Sequence, residues 1–445
     1  MRGLAVQVRD PVTERVAAVL DVRLETHTDA PLAVALSGGS DSLALFHLVS
    51  AWARMNGREV IALTVDHGLQ DAGAAWAEQC AQMAAERGRA HRTLHWTGAK
   101  PATGIPAAAR AARHALLATA TREAGATVLL MGHTASDLGE SAAMRAAGST
   151  VPDAREWSPS PAWPEGRGVF ILRPLLGLKR GDLQDWLARR GERWIDDPAN
   201  LDLRYARARA RHSMSSPQGV LLPLREKVAA KPTDEGSHRP SAEEKTRPDA
   251  AKRAGLIILP RDTPARTLAA ACLCAAGTVT PPRTDQLTTL LARFAREDGV
   301  TTLAGARIEA TGDSLAVSRE TGELSRAPLP PLALSQKEPT VFDGRFELIA
   351  DAPGLTVQPL SGHTARLPRP EQTALKALPP AARGALPLVT DGASLWTCPI
   401  LAASPFVRIR SLVQPRFEAA LGLITKEADA YPVAQRGEPG GGVLH

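Results

Sequence analysis

The sequence predicts an α/β fold, a doubly wound parallel sheet, followed by a helical region and a small mixed α+β C-terminal domain. Three observations carry this. Five short apolar runs between residues 30 and 175 are separated by segments of helical period. The first run ends in a turn of glycine and serine that opens at once into an amphipathic helix. Beyond residue 255 a helical stretch gives way to short β-rich segments. Strands alternating with helices favour parallel pairing through crossovers, and segregated helices and strands favour α+β packing.

In chain order, the strand candidates are LAVAL (32–36), VIALTV (60–65), HRTLHW (91–96), TVLLMG (127–132) and VFIL (169–172). Between the first two, Ser42 to Met55 puts Leu43, Phe46, Val49 and Ala53 on one helical face, with Gly57 as the stop. Residues 178–213 read as helical and basic, ending in RYARARARH. The stretch 225–253 is rich in Pro, Lys and Glu and poor in large apolar residues, too little to offset ordering entropy, so a flexible linker is expected over 216–255. Helix is expected over 262–296, including TLAAACLCAAG, and strands in FDGRFELIA, ALPLVTDG and FVRIR. The expected division is a nucleotide-binding catalytic domain over 1–215, the linker, a helical and mixed domain over 256–325, a strand-rich domain over 326–430 and a disordered tail over 431–445.

Composition bounds the class. With 44 % hydrophobic and 22 % charged residues the chain has a sizeable core, and with 4 % aromatics that core relies on Leu, Val and Ala. A net charge of +6 suits a polyanionic partner such as nucleic acid without requiring one. Cys80, Cys272, Cys274 and Cys398 include no CxxC pair, so reduced, buried thiols are expected. The start MRGLAVQVRD has no signal-peptide pattern, and no apolar run approaches the roughly 20 residues of a membrane helix. A cytoplasmic location without a membrane partner is expected.

The turn after LAVAL is Ser37-Gly38-Gly39-Ser40-Asp41-Ser42. The first amides of a helix lack partners and sit at its positive end, which makes an anion site. Gly38 and Gly39 let backbone approach a phosphate, while Ser37, Ser40 and Ser42 add hydroxyls. With no lysine and with adjacent glycines, the loop is neither a Walker P-loop nor a dinucleotide fingerprint. An acid beside phosphate needs an intervening cation, so Asp41 is assigned to Mg²⁺.

Four further groups accompany it. TVDHGL places Asp66, His67 and Gly68 at the carboxyl edge of strand two, where such sheets bind ligands, although a polar turn reads equally well. Arg110 and Arg113 share a helical face, suited to phosphate or to solvent. In GHTASDLGES, Asp137 and Glu140 stand at a helix start, either as a capping pair or as acids facing the nucleotide site. The basic run Arg204, Arg207, Arg209 and Arg211 fits either nucleic-acid backbone contacts or a solvated face.

SGGxDS over residues 37–42 resembles the signature of the PP-loop ATP pyrophosphatases, Rossmann-like enzymes that cleave ATP between the α and β phosphates and adenylate a substrate oxygen. VDHGL, ARAARH, GHTASDLGES with Arg145, RPLL (173–176) and DDPANLDLRYARARAR together resemble the tRNA(Ile)-lysidine synthases, well over about 30–212 and more thinly in TLAGARIEA, SRE and the C-terminal region. The departures are Thr134, Ser136, Leu138, Ser141, His114, Ala199 and Ala208, which stand for His, Asp, Gln, Thr, Tyr, Ser and Asn of the usual family motifs.

The resemblance implies adenylation of the C2 oxygen of wobble cytidine 34 in a CAU-anticodon isoleucine tRNA, then attack by the ε-amine of free L-lysine to give lysidine, AMP and pyrophosphate. It implies catalytic Asp41, Asp137, Glu140 and Arg113; ATP contacts from residues 37–42, Asp66, His67 and His133; metal contacts from Asp41 and Asp137; and tRNA contacts from Arg204, Arg207, Arg209 and Arg211. ATP and Mg²⁺ are the implied cofactors. C-terminal domains that hold the tRNA body, and a homodimer, are compatible expectations. A tRNA-thiolating enzyme shares SGGxDS but normally uses paired cysteines. A GMP or NAD synthetase would need an ammonia source or a nicotinate site. A non-catalytic nucleotide sensor would not need the extra domains or the basic run.

Overall fold

Apolar runs that are buried on both faces of a sheet need no alternation with polar residues, and four such runs form the inner strands of one six-stranded sheet, while the expected run HRTLHW is a mostly exposed edge strand. The computed structural model of the chain describes residues 10–26, 28–149, 154–196, 209 and 250–430. Its strands are β1 (Leu32–Ala35), β2 (Val60–Asp66), β3 (Ala90–His95), β4 (Val128–Leu130), β5 (Trp157–Pro159) and β6 (Phe170–Leu172), in the order β3-β2-β1-β4-β6-β5. All pairs are parallel except β5 with β6. The register sets Leu32 opposite Val60 and Ala33 opposite Leu129.

Among the described residues the helices that accompany this sheet are α1 (Pro11–Arg23), α2 (Ser40–Met55), α3 (Gly73–Ala85), α4 (Ile105–Glu123), α5 (Ala135–Ala146) and α6 (Arg180–Ala188), with a short helix at Glu427–Ala430. Alternate residues of β1 serve the two faces. Leu32 and Val34 join α1, α2 and α6 in one core, and Ala33 joins Leu117 and Ala120 of α4 in the other. Leu43, Phe46, Val49 and Ala53 of α2 are each at most 1 % exposed, as the helical spacing requires. The helix begins at Ser40, two residues before the expected start, because Gly39 in an extended conformation is its N-cap. Ser40 and Asp41 therefore belong to its first turn. Helix α1 was not foreseen, although Pro11 at its first turn and buried Val12, Val16 and Leu20 at four-residue spacing are its signature.

From β1 the chain winds to β2 and β3 in one direction, and β4 and β6 then lie on the other side of β1. The carboxyl ends of β1 and β4 thus flank the point where the strand order reverses, which is where doubly wound sheets bind ligands.

A second unit spans the described residues from 250 to 423, while residues 424–430 fold with the first. It carries three antiparallel sheets. Strands Ile257–Pro260, Gly299–Leu303, Ala306–Thr311 and Ser314–Arg319 pack under helices Ala265–Ala276 and Thr284–Phe294, with Cys272 and Cys274 in that core. The expected strand segments appear as Phe346–Ala350, Pro387–Thr390 and Val407–Ser411. All four cysteines are free and buried. Of the expected linker only residues 250–255 lie within the described residues, and the tail over 431–445 lies outside them. No described helix is long and apolar enough to cross a membrane.

Candidate active site

The loop between β1 and α2 is held by its own serines. Ser37 N–H donates to Ser42 Oγ at 3.1 Å, Ser42 Oγ donates to the Gly39 carbonyl at 3.0 Å, and the Ser37 and Ser42 hydroxyls are 3.1 Å apart. Gly38 adopts φ +79°, open to glycine at little cost, and a Cβ there would fall 2.3 Å from Ile195 Cδ1. Ile195 N–H donates to the Gly38 carbonyl at 2.9 Å, so the segment after α6 supports the loop. Gly39 has no such neighbour: a Cβ there would meet nothing nearer than 3.9 Å. The two glycines differ accordingly, Gly38 serving the turn and Gly39 leaving room above it.

Gly132, just after β4, was not singled out in the sequence. A Cβ on it would stand 3.0 Å from the Asp41 backbone and 3.1 Å from Ser42 Cα. The β4 end and the start of α2 are therefore in backbone contact, and this brings the GHTASD segment to the loop.

Asp137 and Glu140 are 8 % and 2 % exposed. The capping reading of Asp137 holds for one of its oxygens and leaves the other available, because the two do different things. Oδ2 accepts from the Thr134 backbone N–H at 2.8 Å and from the Thr134 hydroxyl at 2.9 Å, capping α5. Oδ1 faces Arg180 Nη2 at 3.5 Å. Arg180 Nε donates to Asp41 Oδ2 at 2.8 Å and its Nη1 to Glu140 Oε1 at 3.2 Å. Three carboxylates from two helices thus converge on one guanidinium at the first residue of α6. The Arg180 backbone N–H donates to Ser136 Oγ at 3.3 Å, so the serine that replaces a family aspartate supports α6.

The charges respond in opposite senses. Burial raises the Asp41 pKa even though Arg180 works against it. Burial also acts to raise that of Asp137, but the Thr134 amide and Arg180 outweigh it and the carboxyl is held low. Burial opposes the Arg180 charge, and Asp41, Asp137 and Glu140 overcome it, raising its pKa.

On the other side of α5's start, Arg173 Nε donates to His133 Nδ1 at 3.2 Å. Burial, then Arg110, brings the Arg173 pKa down to about 10. Burial, then Arg113 and Arg110, lowers that of His114 to about 3, so the imidazole in the family's tyrosine position is neutral. Arg113 is half-buried and Arg110 exposed. Asp66 accepts from the Gly68 N–H at 2.9 Å, and His67 stands edge-on to Trp96, with Lys100 Nζ 3.9 Å from that ring's centre. Burial, then Arg113, lowers the His67 pKa. Arg204, Arg207 and Arg211 lie outside the described residues, and Arg209 is exposed. Arg173 and Arg180 were not named as site residues; the signal was RPLL followed by KRGD, an arginine placed where a helix begins.

A PP-loop domain family matches residues 12–217. A tRNA(Ile)-lysidine synthase of Caulobacter vibrioides is 48 % identical over 422 residues, covering 93 % of this chain and 99 % of its own. Those of Hyphomonas neptunium and Brucella anthropi are 36 % and 35 % identical, covering 68 % and 71 % of this chain and 84 % and 73 % of theirs.

Proposed function

The chain belongs to the tRNA(Ile)-lysidine synthase family, ATP-using ligases that act on tRNA, and from that premise we propose how its own residues divide a two-step ligation. The substrates proposed are the CAU-anticodon isoleucine tRNA and free L-lysine. In the first step the C2 oxygen of cytidine 34 attacks the α-phosphorus of ATP and pyrophosphate leaves. In the second the lysine ε-amine, having lost a proton, attacks C2. The C2–O bond breaks, and AMP departs with that oxygen, leaving a new C–N bond.

The observation that supports this most is the convergence of Asp41, Asp137 and Glu140 beside a serine-braced loop at the strand-order reversal. Gly39 and the free amides of α2's first turn bind phosphate oxygens, and Ser40 stands beside Asp41, its hydroxyl 3.2 Å from Oδ1. Arg113 supplies positive charge for the leaving pyrophosphate. Asp66, His67 and His133 line the nucleotide side. Glu140, almost fully buried, binds the lysine ammonium and takes its proton before attack.

Among the described residues no three His, Cys, Asp or Glu side chains are arranged to hold a metal on their own. That fits Mg²⁺, which usually takes one or two carboxylates and completes its shell with phosphates and water. Asp41, with Asp137 beyond Arg180, offers the hard oxygen donors it needs. Bound there, Mg²⁺ would neutralise charge on the phosphates. For tRNA, the run Arg204 to Arg211 and the second unit are the proposed contacts, the arginines acting on backbone phosphates.

Glu140→Ala tests the assignment. The expected result is a KM for lysine raised about tenfold or more, a loss of roughly 1.4 kcal/mol, with tRNA-dependent pyrophosphate release retained. An unchanged KM for lysine and an unchanged second step would remove Glu140 from this role.

A further inference from the structure

Arg180 is a single cation shared by three acids. Its Nε, Nη1 and Nη2 each face a different carboxylate, at 2.8, 3.2 and 3.5 Å, and no two of them face the same one. The acids come from α2 and α5, and the arginine is the first residue of α6, so three chain segments meet at it. The packing around the cluster makes the arrangement costly without a counter-charge. Side-chain exposures are 14 % for Asp41, 10 % for Asp137 and 2 % for Glu140, and like charges this close and this dry repel strongly.

We propose that Arg180 is a positioning residue that holds the seat of the cationic ligands in the free enzyme, keeping Asp41, Asp137 and Glu140 converged and giving up carboxylate contacts when an ammonium or a divalent cation enters. Its guanidinium is anchored for this at one end. The backbone N–H is fixed to Ser136 Oγ and the Lys179 N–H to Asp182, so the helix start stays in place while the side chain is free to exchange partners. Arg180 acts through the acids, and its charge competes with the incoming cation. A neutral residue there should leave the free protein less stable and the seat more receptive.

The inference rests on the reading of this cluster as a cation seat and does not depend on lysidine formation. The test compares the intact protein with Arg180→Met and Arg180→Lys in thermal unfolding, titrated separately with Mg²⁺ alone and with L-lysine alone. Arg180→Met is expected to melt roughly 4 °C lower without additions. At least one of the two cations should restore most of that loss, with a midpoint concentration about tenfold lower than for the wild type. Arg180→Lys, which keeps the charge, should retain the wild-type midpoints. Which cation shows the tightened midpoint identifies the occupant. A methionine variant as stable as the wild type, or a destabilised one with both midpoints unchanged, would overturn the proposal and leave Arg180 a purely structural contact. Tightened midpoints in a protein that makes no lysidine would uphold it while refuting the proposed reaction.

Discussion

Arg58 and Glu427 form a two-pronged ion pair, 2.6 and 2.9 Å long, in which both side chains are wholly inaccessible to solvent although 369 residues separate them in sequence. Arg58 also donates to the Glu25 and Ala30 carbonyls, and the Glu25 amide donates to Glu427. Trp157 Nε1 donates to the Ile424 carbonyl at 2.9 Å. Residues 424–430 are thereby built into the nucleotide-binding unit. Leaving one buried charge without its partner costs about 3–5 kcal/mol. Glu427→Gln and Arg58→Met should each lower the melting temperature by roughly 10 °C. The double variant Arg58→Met with Glu427→Met should lose less than the sum of the two single changes, and calorimetry of all three checks this. Fully additive losses would mean that the pair does not act as a unit.

Asp41 and Asp137 predict opposite effects on stability. The Asp41 pKa is raised in the folded chain, so its favourable contribution is complete below the unfolded value, about 3.9, and is lost as pH rises through the folded value. At pH 7 its charge is a burden on the fold. Asp41→Asn should therefore raise the melting temperature at pH 7, converge with the wild type toward pH 4, and slow pyrophosphate release roughly 100-fold or more. The Asp137 pKa is lowered, so its contribution is present above the unfolded value and lost as pH falls through the folded one. Asp137→Asn should lower the melting temperature at pH 7. A less stable Asp41→Asn at pH 7 would reverse this assignment.

Gly132 predicts a geometric failure. A methyl group at that position meets backbone on α2, which cannot yield as a side-chain tip could. Gly132→Ala should push the start of α2 away from β4 and raise the KM for ATP about tenfold, roughly 1.4 kcal/mol. Gly57→Ala makes a useful control. Its Cβ would meet nothing within 4 Å, and with φ +64° it is strained but distant in role. It should lower stability without changing the KM for ATP. Equal KM values for Gly132→Ala and the wild type would show that this contact does not set the loop.

The sheet and the loop were legible because each rests on local pattern. LAVAL, VIALTV and TVLL are buried on both faces and so read as continuous apolar runs, and SGGSDS has a composition few other roles require. The capping role of Asp137 and its meeting with Arg180 could not be separated in sequence, since one carboxyl oxygen caps α5 and the other faces the guanidinium. Arg180 escaped notice for a different reason: it sits among other arginines, and only the three-dimensional meeting of α2, α5 and α6 distinguishes it. The return of Glu427 to Arg58 had no local signal at all, because neither residue belongs to a motif.

The central claim is a ligation of lysine onto a tRNA base, and isotope transfer tests it most directly. The purified protein is incubated with ATP, Mg²⁺, radiolabelled L-lysine and a CAU-anticodon isoleucine tRNA transcript, and the tRNA is recovered after denaturation. The account predicts stable label in the tRNA, dependent on ATP, with one AMP and one pyrophosphate per lysine transferred. A tRNA free of label, while pyrophosphate release responds to a different substrate, would contradict it.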